Sequence, residues 1–323
     1  MNVLVTGATG FVGGHLVETL LAEGHLVSAL VRTPSKALDI ARKGVTIVAG
    51  DLARLDGLAE ACRDKDVVYH LAGSIAGRNQ AEFDAVNRDG TARLVEAASE
   101  AGTPRLLLVS SLAAAGPTSQ GQQPVADGSR SSPVTQYGRS KLAGEAVLKA
   151  SSVPWTILRP PAVYGPGDRE MLRVFKAAAL GIAPVFGTGA QRLSLVYGPD
   201  LARAIVVAGT SPATIGGTFY PCHPEVLSSR SLVAMAGAAA NTRVRIIGIP
   251  EPIGRAILWI TDQAARLAGR TTVLSYDKAA EFFAPAWLAD PSPFTAATGW
   301  AAGHDFASGS RLTVEWYRQH RWL

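Results

Sequence analysis

A tyrosine and a lysine four residues apart, Tyr137 and Lys141, are the pair in this sequence best suited to moving a proton. Residues four apart on a helix share one face, so the phenol and the ammonium become neighbours. A free phenol has a pKa of about 10, and a nearby positive charge lowers it by favouring the phenolate. Tyr137 can then exchange a proton with a substrate oxygen. Taken alone, the same spacing is also typical of ordinary surface pairs.

Two hydroxyl residues, Ser110 and Ser111, come shortly before this pair. They follow the apolar run 106–109, whose pattern is typical of a buried strand. The segment 116–136 that connects them to the tyrosine is polar and rich in Gly, Ser and Pro. Such a composition predicts a loop, which is either a lid over a site or a plain connection.

A glycine-rich turn at the start of the chain predicts a phosphate site. The segment Val3-Leu4-Val5-Thr6-Gly7-Ala8-Thr9-Gly10-Phe11-Val12-Gly13 joins a strand to a helix through glycines three residues apart. Gly7 permits the tight turn, Gly10 lets the backbone approach a pyrophosphate, and Gly13 lets helix and strand pack closely. The helix N-terminus adds free N–H groups and a positive dipole end. We therefore expect a dinucleotide site here.

The elements that must position these residues alternate between strands and helices, as in a parallel sheet with crossover helices. The predicted strands are residues 3–6, 26–31, 46–49, 67–70, 105–110 and 156–159, with a seventh at 193–197. The predicted helices are residues 12–23, 55–62, 80–101 and 137–150. These elements predict an α/β fold with a Rossmann-type doubly wound sheet, which binds ligands at the carboxyl ends of its strands.

Beyond Pro160 the alternation loosens, and Gly, Pro and Trp become more frequent. We expect a dinucleotide-binding domain over residues 1–163, completed by about 192–210, and a smaller C-terminal substrate lobe over 164–323. Residues 252–259 begin a helix whose apolar face would line a substrate pocket or simply form core. The aromatic residues of this region are expected in the core, some of them lining the pocket: Trp259, Phe282, Phe283 and Trp287.

Composition narrows the class of protein. The chain is 47% hydrophobic and 18% charged, as in soluble globular enzymes. Its net charge is +5, but the 31 Lys and Arg residues are scattered, which indicates a mildly cationic surface and no nucleic-acid partner. Cys62 and Cys222 are too few for a disulfide framework, and no metal site is predicted. No membrane span or secretion signal is predicted, so we expect a cytoplasmic protein.

Together these motifs resemble the extended short-chain dehydrogenases/reductases, the epimerase/dehydratase superfamily. Thr-Gly-Ala-Thr-Gly-Phe-Val-Gly at residues 6–13 is similar to their cofactor fingerprint, and Asn87-Arg88-Asp89-Gly90-Thr91 matches their Asn-x-x-Gly-Thr motif. Asp51-Leu52, Leu71-Ala72-Gly73 and the segment 159–168 resemble further family segments that meet the cofactor. The resemblance extends roughly as far as Asp200.

The resemblance implies a role for each matched residue. Tyr137 is the general acid or base, Lys141 binds the nicotinamide ribose, and Ser111, five residues before Gly116, holds the substrate oxygen. Asn87 positions the active-site helix or a water. The other cofactor contacts it implies are Gly7, Thr9, Gly10, Phe11, Val12, Gly13, Asp51, Leu52, Leu71, Ala72, Gly73, Ser110, Pro160, Ala162 and Val163, and Ala162 also meets the substrate.

Two further expectations concern the helix of Tyr137 and Lys141. Glu145 continues their face by one turn and is expected to be a salt-bridge partner rather than a base. Related enzymes pair through this helix and the one before it, which implies a homodimer.

The end of the second predicted strand indicates the cofactor. An acidic residue there would bond the ribose hydroxyls and repel a 2′-phosphate, whereas an arginine favours that phosphate. Here Val31 is followed by Arg32 and then Lys36, and no carboxylate occurs before Asp39. Arg32 and Lys36 therefore favour NADP, with NAD still possible. The alternative is a plain surface arginine.

Two positions bear on the substrate. Sugar-nucleotide enzymes of this superfamily carry an Asn and an Arg that grip the diphosphate, and these align with Ala162 and Leu193. The chain instead resembles 3β-hydroxysteroid dehydrogenases and dihydroflavonol reductases, which predicts interconversion of a hydroxyl and a ketone or aldehyde on a largely apolar small molecule. A diphosphate clamp formed by a different route, with Arg173, Arg192 or Arg243, is the open alternative. The alternatives are a nucleotide-sugar epimerase/dehydratase and a catalytically silent nucleotide sensor.

Overall fold

The computed structural model describes residues 1–103, 105–119, 123–128 and 131–323, and the predicted α/β fold is confirmed there. The strands are β1 (Asn2–Thr6), β2 (Leu26–Val31), β3 (Thr46–Ala49), β4 (Val67–His70), β5 (Leu106–Val109), β6 (Trp155–Leu158), β7 (Ala162–Tyr164), β8 (Ile182–Phe186), β9 (Arg192–Tyr197), β10 (Thr218–Phe219), β11 (Val226–Ser228), β12 (Arg245–Ile249) and β13 (Ala286–Trp287). The helices are α1 (Phe11–Ala22), α2 (Leu38–Arg42), α3 (Leu58–Cys62), α4 (Gln80–Asn87), α5 (Asp89–Glu100), α6 (Gln136–Lys149), α7 (Leu172–Ala179), α8 (Gly198–Thr210), α9 (Ser229–Ala239), α10 (Glu251–Leu267), α11 (Ala279–Phe282), α12 (Ser292–Thr298) and α13 (Phe306–Gln319).

A parallel sheet of seven strands dominates the described part of the chain, in the order β10-β6-β5-β4-β1-β2-β3. Strand β1 lies inside this sheet, and its Val3 pairs with Val27 of β2 on one side and with Val67 of β4 on the other. The chain winds outward from β1 to β3 and then crosses to β4, so the winding direction reverses between β1 and β4. Ligands bind at the carboxyl ends of the strands at such a reversal.

Both faces of this sheet are covered, which explains the continuous apolar run of β1. Successive side chains of a strand point to opposite faces. Accordingly, Val3 and Val5 share a core cluster with Leu16 of α1 and Leu201 of α8. Leu4 belongs to a second cluster, formed with helices α3, α5 and α6. All three β1 residues are fully buried, as in other two-sided parallel sheets.

The prediction for the seventh strand of this sheet is wrong. Residues 193–197 fall within β9, which pairs with β7, β11 and β13 in a separate sheet. The outermost place in the central sheet is taken by β10, parallel to β6. An apolar run predicts burial but not the sheet that buries it, and a strand of two residues is too short to show alternation.

The predicted helix over 80–101 is divided into α4 and α5, which meet at Arg88. The short helix α2 after β2 was not predicted. No helix among the described residues has the length and apolar character needed to cross a bilayer.

A second core lies among the elements after β6. Helices α7, α9 and α13 pack against β8 and β9 around the buried side chains of Phe175, Leu232 and Tyr317. Strands β8 and β12 form a separate parallel pair. The elements α7, α9, β8 and β9, together with β13 and α11, contribute residues to a cavity described below.

Candidate active site

The turn between β1 and α1 is packed too tightly for side chains at two of its glycines. Gly7 has φ +75°, and a Cβ there would lie 2.7 Å from the backbone nitrogen of Ala72. A Cβ on Gly13 would collide with the carbonyl oxygen of Gly7. Gly10 differs, because it is exposed and a Cβ there would meet only the Gly7 oxygen, at 3.2 Å. The open side of the turn therefore lies at Gly10.

Helix α1 begins directly after Gly10 without a side-chain cap. The first N–H groups of a helix, here those of Phe11, Val12 and Gly13, have no carbonyl partner within the helix. Together with the helix dipole they attract an anion, and Thr9 is exposed beside them. The Phe11 ring packs edge-to-face on His15 at 5.4 Å. The turn fits the pyrophosphate of a nicotinamide dinucleotide.

The carboxyl ends of β2 and β3 supply the next group of predicted residues. Arg32 and Lys36 follow β2 and are exposed. Asp51 follows β3, and its Oδ1 accepts a hydrogen bond of 3.0 Å from the Ala53 N–H, while Leu52 is partly buried. Because parallel strands end at one edge of a sheet, these residues share the edge that holds the glycine turn.

The turn after β4 connects this edge to the helix of the tyrosine and the lysine. The N–H of Ala72 donates to Thr6 Oγ1 at 3.2 Å, and Leu71 beside it is partly buried. Gly73 is exposed, and a Cβ on it would lie 3.0 Å from Asn87 Oδ1 and 3.7 Å from Lys141 Nζ. The glycine at this position keeps the approach to the lysine open.

Asn87 joins three elements through its side-chain amide. Its Nδ2 donates to Ser140 Oγ in α6 at 2.8 Å and to the carbonyl oxygen of Ser74 at 3.0 Å. Its Oδ1 accepts from the Ser74 N–H at 2.8 Å. The buried amide thus fixes α6 against the turn after β4, as a residue that positions the helix would.

Lys141 lies in α6 with only 7% of its surface exposed. Its Nζ donates to the carbonyl oxygen of Val109, at the end of β5, at 2.8 Å. Burial lowers the pKa of this ammonium to about 8, although the negative charge of Glu145 opposes the shift. The lysine is therefore held between β5 and the turn at Gly73.

Tyr137 lies one turn before the lysine, with Lys278 Nζ 5.0 Å from its ring centroid. Burial raises the pKa of its phenol to about 12; a hydrogen bond with Ser111 opposes this shift, and the charge of Glu281 adds to it. Lys141, which was expected to lower this pKa, is not among the groups that shift it here, and its Nζ donates to Val109 instead. At neutral pH the phenol carries its proton.

Ser111 and Tyr137 open into a cavity of about 410 Å³. Its polar lining also includes Gln191, Ser194 and Ser229. The apolar lining consists of Leu112, Ala113, Pro161, Ala162, Met171, Val174, Pro184, Val185, Phe186, Leu193, Leu232, Val233, Phe282 and Trp287. The size and the mostly apolar wall are typical of a small-molecule site.

Two charged residues of this cavity were not found from the sequence. Lys278 Nζ donates to Glu281 Oε2 at 2.5 Å, and Glu281 Oε1 accepts from Thr135 Oγ1 at 2.7 Å. Thr135 in turn caps α6, since its hydroxyl accepts from the Gly138 N–H. Nothing local in the sequence indicates that a segment so far along the chain caps the helix of Tyr137.

Ala162 and Leu193, the positions aligned with a diphosphate clamp, both line the cavity. Among the described residues that line this cavity there is no arginine, so Arg173, Arg192 and Arg243 lie outside its lining. Pro160 is buried, and its carbonyl oxygen accepts from the Leu112 N–H at 2.9 Å; Val163, in β7, is partly buried.

The predicted apolar face at the start of α10 does not line the cavity. Ile253 and Ile257 are 55% and 43% exposed, and Trp259, expected in the core, is 53% exposed. Helical periodicity gives the width of an apolar stripe but not the side that faces the protein. Phe282 does line the cavity, and Phe283 packs on its wall at Phe186.

Glu145 forms a buried ion pair, so its prediction as a salt-bridge partner is confirmed. Its Oε2 lies 2.6 Å from Arg159 Nη2, and both side chains are 0% exposed. Its Oε1 accepts from Ser110 Oγ at 2.5 Å, which directs that hydroxyl towards α6. Arg159 Nη1 also donates to Tyr220 Oη at 2.7 Å.

The loop over 116–136 is only partly described, because residues 120–122 and 129–130 lie outside the described residues. In its described parts the N–H of Thr118 donates to Ala286 O at 2.8 Å and that of Val125 to Leu288 O at 3.1 Å. Tyr220 Oη donates to Asp127 O at 2.8 Å. These bonds tie the described parts of the loop to the segment that contains β13 and to Tyr220. No group of three metal-ligating side chains occurs among the described residues.

Comparisons with known proteins agree with this geometry. The family model for the NAD dependent epimerase/dehydratase family matches residues 3–220. A curated relative, the ceramide reductase of Caulobacter vibrioides, is 31% identical over 99% of this chain and 96% of its own length. A 3 beta-hydroxysteroid dehydrogenase/Delta 5-->4-isomerase of Mycobacterium tuberculosis is 33% identical over 65% of this chain and 62% of its own.

Among solved structures, the UDP-glucuronic acid 4-epimerase of Bacillus cereus in complex with NAD superposes with a TM-score of 0.79. It is 22% identical, over 99% of both chains, which shows a shared fold. The chain therefore belongs to the NAD dependent epimerase/dehydratase family and is an NAD(P)-dependent enzyme of the extended short-chain dehydrogenase/reductase type.

Proposed function

We propose that the chain is an NADP(H)-dependent oxidoreductase that interconverts a hydroxyl and a ketone or aldehyde on a largely apolar small molecule. The observation that carries the proposal is the cavity of about 410 Å³ that contains Ser111 and Tyr137 and is otherwise mostly apolar. The curated relative named ceramide reductase, which aligns with 99% of the chain, supports a substrate of this kind.

The side chains act on the substrate oxygen. In the reduction, the oxygen accepts hydrogen bonds from Ser111 and Tyr137, and Tyr137 gives it a proton. The phenol suits this step because burial raises its pKa to about 12 and keeps it protonated. The hydrogen bond from Ser111 stabilises the phenolate that forms. A bound reduced nicotinamide supplies the hydride to the carbonyl carbon; in the reverse direction Tyr137 takes up the proton.

The glycine turn would hold the pyrophosphate, and Arg32 and Lys36 the 2′-phosphate of NADP. Lys141 Nζ, beside Gly73, would bond the nicotinamide ribose. We further propose that the elements around the second core form the substrate lobe, because they supply most of the cavity wall.

A nucleotide-sugar substrate is the alternative that the cavity disfavours. A diphosphate brings negative charges that require charge-assisted donors when they leave water. Ala162 and Leu193 offer none, and the cationic Lys278 is already neutralised by Glu281 at 2.5 Å. The direct experiment is titration of the NADPH-loaded enzyme with UDP-, GDP- and dTDP-sugars, beside bulky apolar ketones. We expect ketone binding only.

Micromolar binding of any nucleotide sugar would overturn the proposal. The variant Leu193→Arg sharpens this test, because a charge in the cavity should weaken ketone binding by about tenfold or more. The matched control is Leu312→Arg on α13, where the leucine is 41% exposed and outside the cavity.

Replacing Arg32 with Ala should weaken NADPH binding by about tenfold or more and leave NADH binding nearly unchanged, because only NADPH carries the 2′-phosphate. Fluorescence titration of both cofactors measures this. Arg63→Ala is the control, since Arg63 is exposed at the end of α3 and pairs with Glu60. If Arg32→Ala weakened the binding of both cofactors equally, this arginine would only support the fold.

Glu281→Gln should move the pH profile of alcohol oxidation to lower pH. Oxidation needs the Tyr137 phenolate as base, so its rate rises with pH. The negative charge of Glu281 raises the pKa of that phenol, and a neutral amide removes this effect while keeping a hydrogen-bond acceptor for Thr135. We expect the rising limb of kcat/KM to shift to lower pH. An unchanged or higher limb would show that Glu281 does not act on Tyr137.

We also propose that two copies pair through α6 with α4 and α5 across a twofold axis, as a four-helix bundle. The exposed residues of these helices include Val86, Glu96 and Ala146. Light scattering at micromolar concentration should give the mass of a dimer. A monomer mass would refute this arrangement.

A further inference from the structure

Helix α10 presents its apolar side to solvent. Ile253, Ile257 and Ile260 are 55%, 43% and 60% exposed, and Leu267 at the end of the helix is 90% exposed. The spacing of these residues is helical, and Ala256 and Ala264 fill the same face and are exposed as well. We call these six residues the α10 stripe. Over its 15 residues the stripe is about 21 Å long.

The opposite side of α10 packs on the protein through Gly254, Leu258 and Asp262, and its charged residues form ion pairs. Arg255 Nη2 pairs with Glu251 at 2.8 Å, and its guanidinium lies 5.7 Å from the Phe283 ring centroid. Arg266 pairs with Asp262 at 3.1 Å and donates to the carbonyl oxygen of Arg78 at 3.1 Å. These contacts fix the orientation of the helix, so the outward stripe does not result from a loosely attached helix.

Helix α10 packs closely on the cavity wall at Gly254. A Cβ at this position would lie 2.5 Å from the Phe283 ring and 3.0 Å from Phe186. Phe186 stacks on Phe282 at 4.7 Å, and both line the cavity. The α10 stripe is therefore separated from the candidate substrate cavity by the helix and one layer of aromatic rings.

The segment of the chain that contains the stripe is basic. The segment 243–270 carries the arginines 243, 245, 255, 266 and 270 against the carboxylates of Glu251 and Asp262, so it is net positive. Trp259, at the margin of the stripe, is 53% exposed. An apolar face with an aromatic residue at its margin and arginines around it is typical of helices that lie in the interface of an anionic bilayer.

We propose that the α10 stripe docks on the surface of an anionic lipid bilayer. Its isoleucines and Leu267 enter the boundary between headgroups and acyl chains, while Arg243, Arg245 and Arg270, exposed on either side of α10 in the chain, meet the lipid phosphates. A second copy of this chain fits less well, because a twofold pairing through the stripe would bring the same arginines of both copies together. The docking surface does not depend on the proposed function.

The test is sedimentation of the full chain with vesicles of phosphatidylcholine alone and of phosphatidylcholine with phosphatidylglycerol. We expect binding to the anionic vesicles, weakened by high salt, and little binding to the neutral ones. The double variant Ile257→Glu/Ile260→Glu should reduce the bound fraction about tenfold or more, since charge replaces apolar area that would enter the lipid. Both isoleucines are exposed, so this variant should fold, which circular dichroism checks.

The matched control is Leu312→Glu, because Leu312 is also a helical residue and is 41% exposed against 43% for Ile257. This control should bind vesicles like the unmodified chain. Equal sedimentation of the double variant would overturn the proposal, as would an unmodified chain that stays in the supernatant with anionic vesicles. A third outcome would also overturn the proposal: the unmodified chain binds no vesicles and is a dimer, and the double variant is a monomer. That result would assign the stripe to contact with a second copy.

Discussion

Replacing Tyr137 with Phe should lower turnover of any substrate by about 10²- to 10⁴-fold, the usual contribution of a general acid. The phenylalanine ring keeps the packing on Phe83 and beneath Lys278, so the helix and the cofactor site should stay intact. Only the proton donor is lost. Steady-state kinetics measure the turnover, and fluorescence titration checks that the Kd for NADPH stays within about twofold of the unmodified enzyme.

The matched control for this variant is Tyr276→Phe. Tyr276 is 47% exposed and lies outside the cavity lining, so losing its hydroxyl should leave turnover nearly unchanged. If Tyr137→Phe kept full turnover, another group would have to deliver the proton and the assignment of Tyr137 would fail.

Replacing Glu145 with Gln should lower the free energy of unfolding by about 3–5 kcal/mol, the usual cost of breaking a buried ion pair. The glutamine keeps the shape of the side chain but leaves the fully buried Arg159 without its carboxylate. It also weakens the bond to Ser110, which holds the end of β5 beside Ser111. Urea denaturation with an unchanged m value would measure the loss.

Two further variants serve as comparisons for the stability loss of Glu145→Gln. Glu60→Gln breaks the exposed pair with Arg63 and should cost at most about 1 kcal/mol, because solvent screens such pairs. The double variant Glu145→Met/Arg159→Met removes both buried charges and should recover part of the lost stability. A loss below about 1 kcal/mol for Glu145→Gln would mean that the pair contributes little to the fold.

The central sheet was predictable because its signals are local. The fully buried run at Val3–Val5 and the glycines that follow it define a strand, a turn and a helix within a few residues. The seventh strand was not predictable, because β10 has two residues and its place is decided by pairing with β6. The longer apolar run in β9 is equally buried but in a different sheet.

In the candidate site, too, residues linked by local spacing were predictable and residues brought in by distant contacts were not. Tyr137 and Lys141 are linked by helical spacing, and Glu145 by one more turn, so all three could be identified in the sequence. Lys278 and Glu281 reach the cavity only because their segment caps α6 through Thr135, a contact between distant parts of the chain. The outward orientation of the apolar side of α10 could likewise not be predicted, since its sequence pattern is that of an ordinary amphipathic helix.

The central claim is net transfer of a hydride from NADPH to the carbonyl carbon of an apolar substrate. The most direct measurement uses NADPH carrying deuterium at the transferable position of the nicotinamide, with a long-chain or bulky ketone, and mass spectrometry of the product. We predict one deuterium in the released alcohol for each NADPH consumed, and none with Tyr137→Phe on the same timescale. An enzyme that consumed no NADPH with such ketones, but epimerised a nucleotide sugar without releasing the label, would contradict the account.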